Sequence, residues 1–196
     1  GGILKAEMVA AMAPNPVILA LANPYPEILP EDAKAVRPDA IIATGRSDYP
    51  NQVNNAVCFP YIFRGALDVG ATQINEAMKL ACVRAIAALA RKEASDLGAA
   101  YGGEVPTFGR DYLIPRPFDP RLLTQLAPAV AQAAMESGVA QRPLEDVGAY
   151  REKLSQFIHR TSLMMKPVYE RARADRKRVV YAEGEEFKVL QAVQTV

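Results

Sequence analysis

The sequence has 196 residues, half of them hydrophobic, and its 23 basic and 22 acidic side chains leave a net charge of +1. This balance gives no field that would attract nucleic acid or an anionic membrane, so partners of either kind are not expected. Asn, Pro, Glu or Arg interrupts every apolar run before the about 18 to 20 residues that a membrane span needs. The first residues lack the pattern of a signal peptide, and we expect a cytoplasmic protein.

Cysteine and histidine are too few to predict a metal centre. Cys58 and Cys82 are the two cysteines, which we interpret as buried free thiols in a reducing compartment. His159 has no second His or Cys nearby to complete a metal site, so we interpret it as an ordinary helix residue.

The first fifty residues alternate between helix and strand patterns. Residues 3–12 show the spacing of one buried helix face, and residues 30–36 form a second short helix. Residues 17–22 and 40–44 are continuous apolar runs of strand length, typical of parallel strands that are covered on both faces. This order predicts an α/β fold, the C-terminal part of a doubly wound, Rossmann-type sheet.

Helices dominate the rest of the chain. Residues 72–97 predict a long amphipathic helix with Thr72 as its N-cap. Prolines keep residues 112–120 extended, and Asp119 is expected to cap a helix that runs from Pro120 to Gly138. A further helix is expected over residues 150–169.

The composition changes near the end of the chain. Residues 171–178 form a basic run, which we interpret as a solvated linker rather than a nucleic-acid contact because no aromatic residues are interleaved. Residues 179–182 then read as a new strand and residues 185–193 as a helix. These two elements predict the beginning of another domain.

Polar side chains follow the two predicted strands. Asn23 ends the first strand, and Gln52, Asn54 and Asn55 lie in the loop that leaves the second. In a parallel sheet ligands bind beyond the carboxyl ends of the strands, where these amides would meet a small hydroxy acid or a nicotinamide. Taken singly, each asparagine more often serves only as a turn or cap residue, and it is the position in the predicted crevice that favours a binding role. Residues 46–48 (RSD) either bind an anion or form a hydrogen-bonded turn.

Several nucleotide and catalytic motifs are absent from the sequence. It contains no G-x-G-x-x-G after a strand, no P-loop and no nucleophile elbow, and we interpret Gly102-Gly103 as a loop. The groups that hold cofactor phosphates are therefore expected outside this chain. A start at Gly1 that opens into a helix suggests a sequence that begins partway through a domain.

The sequence resembles the bacterial malic enzymes over about residues 1–165. The similar segments are residues 21–28 (LANPYPEI), 43–55 (ATGRSDYPNQVNN), 63–68 (FRGALD), 114–121 (IPRPFDPR) and 133–140 (AAMESGVA). Residues 178–186 (RVVYAEGEE) resemble the opening of the phosphotransacetylase-like domain of the large hybrid form. The resemblance divides the chain into the end of an NAD(P)-binding domain (1–100), a helical closing segment (101–170), a linker (171–178) and the start of the next domain (179–196).

The resemblance also implies a reaction and a site. Malic enzymes oxidise (S)-malate with NADP or NAD and decarboxylate the product to pyruvate; the hybrid form generally uses NADP. By motif, Asn23 would contact the nicotinamide end of the cofactor, while Asn55 and Asn54 would bind the substrate. Tyr25 replaces a smaller residue and Arg116 a common lysine.

The same resemblance places other parts of the machinery before this segment. The acid/base Tyr and Lys, the ligands of Mg²⁺ or Mn²⁺ and the glycine-rich phosphate loop would all precede it, so this segment would carry no catalytic or metal-binding residue. A homo-oligomer is expected, with acetyl-CoA regulation through the C-terminal domain of the longer chain.

Two other functions compete with this hypothesis. The last twenty or so residues suggest a phosphate acetyltransferase, although that domain has barely begun at Val196. The amphipathic helices from Thr72 onward would alternatively form the subunit contacts of a non-catalytic assembly module.

Overall fold

The computed structural model describes residues 1–92, 106–157 and 171. The chain divides into two compact units, Gly1–Arg151 and Glu152–Val196. The first unit carries the candidate site. Predictions for Gly102-Gly103, His159, the basic run and the elements after residue 178 lie outside the described residues, apart from Arg171, which is helical.

The first part of the chain forms a small α/β layer. It consists of α1 (Ala6–Ala10), β1 (Val17–Ala20), α2 (Pro30–Val36) and β2 (Ile41–Thr44). The two strands are parallel, with Val17 opposite Ile41 and Ala20 opposite Thr44. The predicted α/β fold is confirmed, although the first helix and both strands are shorter than the sequence suggested.

The first strand ends early because its loop makes other hydrogen bonds. The Ala22 N–H donates to the Glu27 carboxylate at 3.2 Å and so does not pair with the neighbouring strand. Residues 21–22 therefore belong to the loop that carries Asn23 and not to the strand.

One face of the sheet carries the core of this layer. Ile18 and Ala20 of β1 are buried together with Val9, Ala33 and Ile42. The opposite face of β1 is open, since Val17 and Leu19 are each 61% exposed. The described residues cover one face of this strand, because α1 and α2 supply buried side chains to the same face, and cover over its other face stays a prediction.

The second part of the first unit is helical. A short 3-10 helix (Asn55–Val57) leads into α3 (Phe59–Asp68), which is followed by α4 (Glu76–Arg91) and α5 (Arg121–Glu136). α5 packs against both α3 and α4. Contact with α3 is close at Gly65, where a Cβ would lie 2.5 Å from the Ala127 carbonyl oxygen. Residues 147–151 of this unit are also helical, as are residues 152–157 of the second unit, which agrees with the helix predicted from residue 150 onward.

The structure corrects the predicted start of α4. Asn75, not Thr72, caps the helix, because its side-chain oxygen accepts the Met78 N–H at 3.1 Å. Thr72 instead donates its own N–H to the Val139 carbonyl, beside an antiparallel bridge between Ala71 and Ala140. This long-range pairing holds Thr72 outside the helix, and α4 ends at Arg91 rather than at residue 97.

Asp119 binds a backbone N–H at the start of α5, as expected of a cap, although the N-cap position itself is occupied by Pro120. Its carboxylate accepts the Arg121 N–H at 2.9 Å, at the start of α5, and also binds the Arg121 guanidinium at 2.7 Å. The helix itself begins one residue later than expected. None of the described helices is long and apolar enough to cross a membrane.

Candidate functional site

The loops that leave β1 and β2 meet at Asn23 and Gly45. A Cβ added to Gly45 would lie 2.9 Å from both the oxygen and the nitrogen of the Asn23 side-chain amide. Real Cβ atoms essentially never come this close to a neighbour, so glycine is required here for the amide to keep its position. The loops that follow the two strands are therefore adjacent, and a crevice shared by Asn23 with Asn54 and Asn55 stays a prediction.

Hydrogen bonds hold the loop between β1 and α2, residues 21–29, which is called the Asn23 loop below. The Ala22 N–H donates to the Glu27 carboxylate, and this hydrogen bond lowers the pKa of Glu27 below its ordinary value. Two backbone bonds join the loop to the start of the chain, from Gly2 N–H to Pro26 and from Leu4 N–H to Glu27. The loop therefore has a defined shape even though its tip is exposed.

The Asn23 side chain is free to bind a ligand. It is exposed, and among the described residues no hydrogen bond reaches its amide. An amide of this kind offers one acceptor and two donors without charge, which matches the edge of a carboxamide.

The loop after β2 folds back against the end of its own strand. Val53 N–H donates to the Thr44 carbonyl at 2.7 Å, and Thr44 and Gln52 form a parallel bridge. The Gln52 amide donates to the Gly45 carbonyl at 3.3 Å. Gly45 thus contacts Asn23 through its α-carbon side and Gln52 through its carbonyl, which ties the two loops together.

Asn54 and Asn55 differ in their environments. The Asn54 side-chain oxygen accepts the Ala56 N–H at 2.9 Å and so caps the 3-10 helix. Asn55 is exposed, and its side chain has no hydrogen-bond partner among the residues that the structure describes. Of the two predicted substrate ligands, Asn55 therefore presents the freer amide, and Asn54 holds the backbone that presents it.

Asn51 is a structural residue. It is buried with a φ of 54°, and its amide nitrogen donates to the carbonyls of Ile42 and Arg110 at 3.1 and 2.6 Å. Its oxygen accepts the Leu113 N–H at 2.8 Å. The bonds to Arg110 and Leu113 attach the loop after β2 to the segment around residue 110, and the bond to Ile42 attaches it to β2.

The RSD segment forms a hydrogen-bonded turn, the second of the two interpretations that the sequence left open. The Arg46 guanidinium contacts both carboxylate oxygens of Asp48, at 2.8 and 2.5 Å, and lies 5.0 Å from the centre of the Tyr49 ring. This pairing raises the pKa of Arg46 and lowers that of Asp48. Tyr49 in turn donates its hydroxyl to Glu31 of α2. The charge of Arg46 is thereby already balanced within the loop.

A cleft of about 740 Å³ lies beside the Asn23 loop. Tyr25, the residue that departs from the malic enzyme pattern, lines it together with the first residues of the chain and part of α2. Neither Asn23 nor the Asn54–Asn55 pair lines this cleft, so it is separate from the meeting point of the two loops.

The described residues supply no metal centre. Across residues 1–92, 106–157 and 171, no group of three or more His, Cys, Asp or Glu side chains is placed to hold a metal ion. The donor set for a divalent cation is thus not found in this part of the chain, and no reaction step is assigned to a metal here.

Comparison with known proteins identifies the family. The model of the "Malic enzyme, NAD binding domain" family matches residues 1–102. The chain belongs to the malic enzyme family. The NADP-dependent malic enzyme of Haemophilus influenzae is 63% identical over the whole chain, and the NAD-dependent malic enzyme of Rhizobium meliloti is 61% identical. The chain spans about a quarter of the length of these relatives, 26% in both cases.

A solved malic enzyme supports the fold. The crystal structure of malic enzyme from Pyrococcus horikoshii is 37% identical, with a TM-score of 0.70 over 88% of this chain and 36% of the solved chain. The resemblance seen in the sequence is thereby confirmed, and the α/β layer is part of a malic enzyme NAD-binding domain. The two loops at Gly45 lie within the matched region.

Sequence reasoning missed some residues that shape this site. Gly45 was interpreted as the end of the second strand and Glu27 as part of a motif, although Gly45 makes room for the Asn23 amide and Glu27 braces its loop. A glycine directly after a buried strand was the available signal for the first. No local sequence pattern indicates the role of Glu27, because its hydrogen-bond partner is a backbone N–H, which every residue except proline has.

Proposed function

We propose that this chain contributes the substrate and nicotinamide contacts of a malic enzyme that converts (S)-malate to pyruvate and CO₂ and reduces NADP. The observation that carries the proposal is the Asn23 amide, which is exposed, unbonded among the described residues and packed on Gly45 where the two strands end. The family match supplies the reaction class.

The proposed roles follow from the surroundings of each amide. Asn23 would hydrogen-bond the carboxamide at the nicotinamide end of the cofactor. Asn55 would donate its amide N–H to a malate carboxylate, since its side chain is exposed at the start of the 3-10 helix. Asn54 would support Asn55 through its cap and offer its remaining amide hydrogens to the substrate. All three act by orientation and not by proton transfer.

The rest of the chemistry is proposed to come from outside this chain. Hydride transfer needs acid/base groups at the malate hydroxyl, for which the family's Tyr and Lys are the candidates. Mg²⁺ or Mn²⁺ would be held by residues outside the chain, as would the cofactor phosphates. We propose NADP over NAD, although relatives of both kinds have similar identity, 63% and 61%.

We also propose a cytoplasmic homo-oligomer, regulated by acetyl-CoA through a C-terminal domain of the longer protein. Three large side chains one helical turn apart on α3 support the oligomer: Phe59, Phe63 and Leu67 are 59%, 43% and 66% exposed. An apolar stripe of this kind is typical of a surface that further protein covers, and a second copy of the longer protein is the proposed partner. A mass that increases with concentration would test it.

The enzyme assay has two arms. The full-length protein should form NADPH when supplied with malate, NADP and Mg²⁺ or Mn²⁺. The 196-residue chain by itself should neither reduce NADP with malate nor decarboxylate oxaloacetate above the rate of the free metal ion. Turnover by the isolated chain would contradict the proposal that the acid/base and metal-binding groups lie outside it. A full-length protein that is inactive with both NADP and NAD would contradict the proposed function.

A further inference from the structure

Two cysteine sulfurs are in contact beside the candidate site. The Cys58 and Cys82 Sγ atoms lie 3.5 Å apart, and both thiols are free. Cys58 directly precedes α3, whereas Cys82 lies within α4. Packing of the two helices thus brings together residues that are 24 positions apart in the chain.

The two thiols differ in access to solvent. Cys58 is half-buried, and Cys82 is only 1% exposed. Burial, with a smaller contribution from the hydrogen bond to Cys58, raises the pKa of Cys82 to about 12. Cys82 therefore stays a protonated thiol that solvent oxidants do not reach directly, and Cys58 is the sulfur that a small oxidant meets first.

The distance between the sulfurs suits a bond. A disulfide requires an S–S distance of about 2.05 Å, so the two atoms must approach by about 1.5 Å. Bond formation therefore requires rotation of the side chains and a displacement of Cys58, at the helix start, that together cover this distance.

We propose that Cys58 and Cys82 form a modification site at which a peroxide oxidises the two thiols to a disulfide. In the first step the Cys58 thiol gives up its proton and its sulfur attacks one peroxide oxygen, so that the O–O bond breaks, a sulfenic acid forms, and the released hydroxide takes up the thiol proton and leaves as water. In the second step the Cys82 sulfur attacks the Cys58 sulfur and displaces the hydroxyl, which leaves as water with the Cys82 proton. Two thiols and one peroxide thus become one disulfide and two waters, a two-electron oxidation.

Formation of the disulfide would also displace Asn55, the proposed substrate contact. The Cys58 N–H donates to the Asn55 carbonyl at 3.0 Å and so closes the 3-10 helix that presents the Asn55 amide. Pulling Cys58 towards α4 displaces this end of the helix. This consequence rests on the proposed function, and we expect malate turnover by the oxidised enzyme to fall several-fold.

Peptide mapping tests the bond itself. The full-length protein is treated with hydrogen peroxide, its remaining thiols are alkylated, and trypsin then releases Cys58 in residues 47–64 and Cys82 in residues 80–84. We expect these two peptides joined, with the mass of two hydrogen atoms lost, and separated again by dithiothreitol. Peptides that stay separate after treatment would overturn the proposal.

Two variants assign the order of the steps. In Cys82→Ala the sulfenic acid on Cys58 cannot be resolved and should be trapped by dimedone, whereas Cys58→Ser should leave Cys82 unmodified. Dimedone labelling of Cys82 in Cys58→Ser would refute the assigned order. If Cys82→Ala does not fold, the half-buried Cys58→Ser variant and the wild-type peptide map still decide the matter.

Kinetics separate this proposal from the proposed function. Malate turnover of the wild-type protein should fall on oxidation and recover with dithiothreitol, and in Cys58→Ser it should not respond. A joined peptide pair with unchanged turnover would refute the link to Asn55 while the modification site stands. Failure of the proposed function is recognised separately, because the reduced, untreated protein would then lack malate activity.

Discussion

Substituting Gly45 tests whether the contact between the two loops serves the reaction. In Gly45→Ala the new Cβ would lie 2.9 Å from both polar atoms of the Asn23 amide and 3.2 Å from its carbon. The atoms in the way belong to the end of a side chain and not to backbone. We therefore expect the Asn23 amide to rotate or shift while the fold is kept.

The magnitude follows from the hydrogen bond at stake. A neutral hydrogen bond contributes about 0.5–1.5 kcal/mol, so a displaced Asn23 should lower kcat/KM for malate with NADP about 2- to 10-fold. The midpoint of thermal unfolding should change little, because Gly45 does not have a positive φ and accepts an alanine backbone. The assay is malate-dependent NADPH formation by the full-length protein, together with a melting curve.

Two other glycines provide controls. Gly109→Ala should leave both activity and stability unchanged, since the nearest atom to its Cβ, the Thr107 oxygen, is 3.9 Å away. Gly65→Ala, in contrast to Gly45→Ala, should lower the stability of the fold. Its Cβ meets the Ala127 carbonyl at 2.5 Å between α3 and α5, so stability should fall by about 1–3 kcal/mol.

A double-mutant cycle gives the result that would refute the reasoning. If Gly45→Ala acts through the Asn23 amide, it should have no further effect on kcat/KM once Asn23→Ala has removed that amide. An equal loss of activity in both backgrounds would show that Gly45 acts by another route. Unchanged kinetics in the single Gly45→Ala variant would show that the position of the amide does not matter.

Three further predictions concern stability, each measured by unfolding of the full-length protein. Asn51→Ala should destabilise on the order of 3 kcal/mol, because it strips three backbone partners and leaves alanine at a φ of 54°; a loss below about 1 kcal/mol would contradict this. Asn75→Ala should cost about 1 kcal/mol through the lost cap of α4, and Asn75→Ser clearly less; equal losses would argue against capping. Asp39→Asn should lower the melting midpoint at pH 7. The Arg37 guanidinium, followed by the Asn15 N–H, holds the pKa of Asp39 below its ordinary 3.8, so this stabilisation is complete above that pH and is lost as the pH falls below it. The difference between Asp39→Asn and wild type should therefore shrink in acid, and a constant difference would refute the assignment.

The two strands and their order were predictable because each apolar run is followed by residues that end a strand. The runs at residues 17–22 and 40–44 are apolar, of strand length and closed by Asn23-Pro24 and Gly45. Their burial was not predictable in the same way. Val17–Ala22 is apolar at every position, so no period of two distinguishes the buried Ile18 from the exposed Leu19.

The start of α4 shows how a distant partner overrides a local signal. Thr72 and Asn75 are both suitable N-cap residues, and the sequence alone does not choose between them. The choice is made by the pairing of residues 71–72 with Val139 and Ala140, nearly seventy positions away. No propensity or spacing in the local sequence contains this information.

The candidate site was only partly predictable for the same reason. Polar residues at the ends of parallel strands predict where ligands bind, which led to Asn23 and to the Asn54–Asn55 pair. The sequence did not reveal that the Asn23 amide packs against Gly45, or that Asn54 is bonded while Asn55 is not. These relations depend on packing between segments, and they decide which amide is free and which is bonded.

The central claim is that amides at the ends of the two strands orient malate and the cofactor, and Asn55→Ala in the full-length protein tests it most directly. Loss of one or two hydrogen bonds to a charged carboxylate should lower kcat/KM for malate by about 10- to 100-fold or more. The dissociation constant of NADP, measured without malate, should change little, because Asn55 is assigned to the substrate. Malate kinetics that remain at the wild-type level, or a loss confined to NADP binding, would contradict the account.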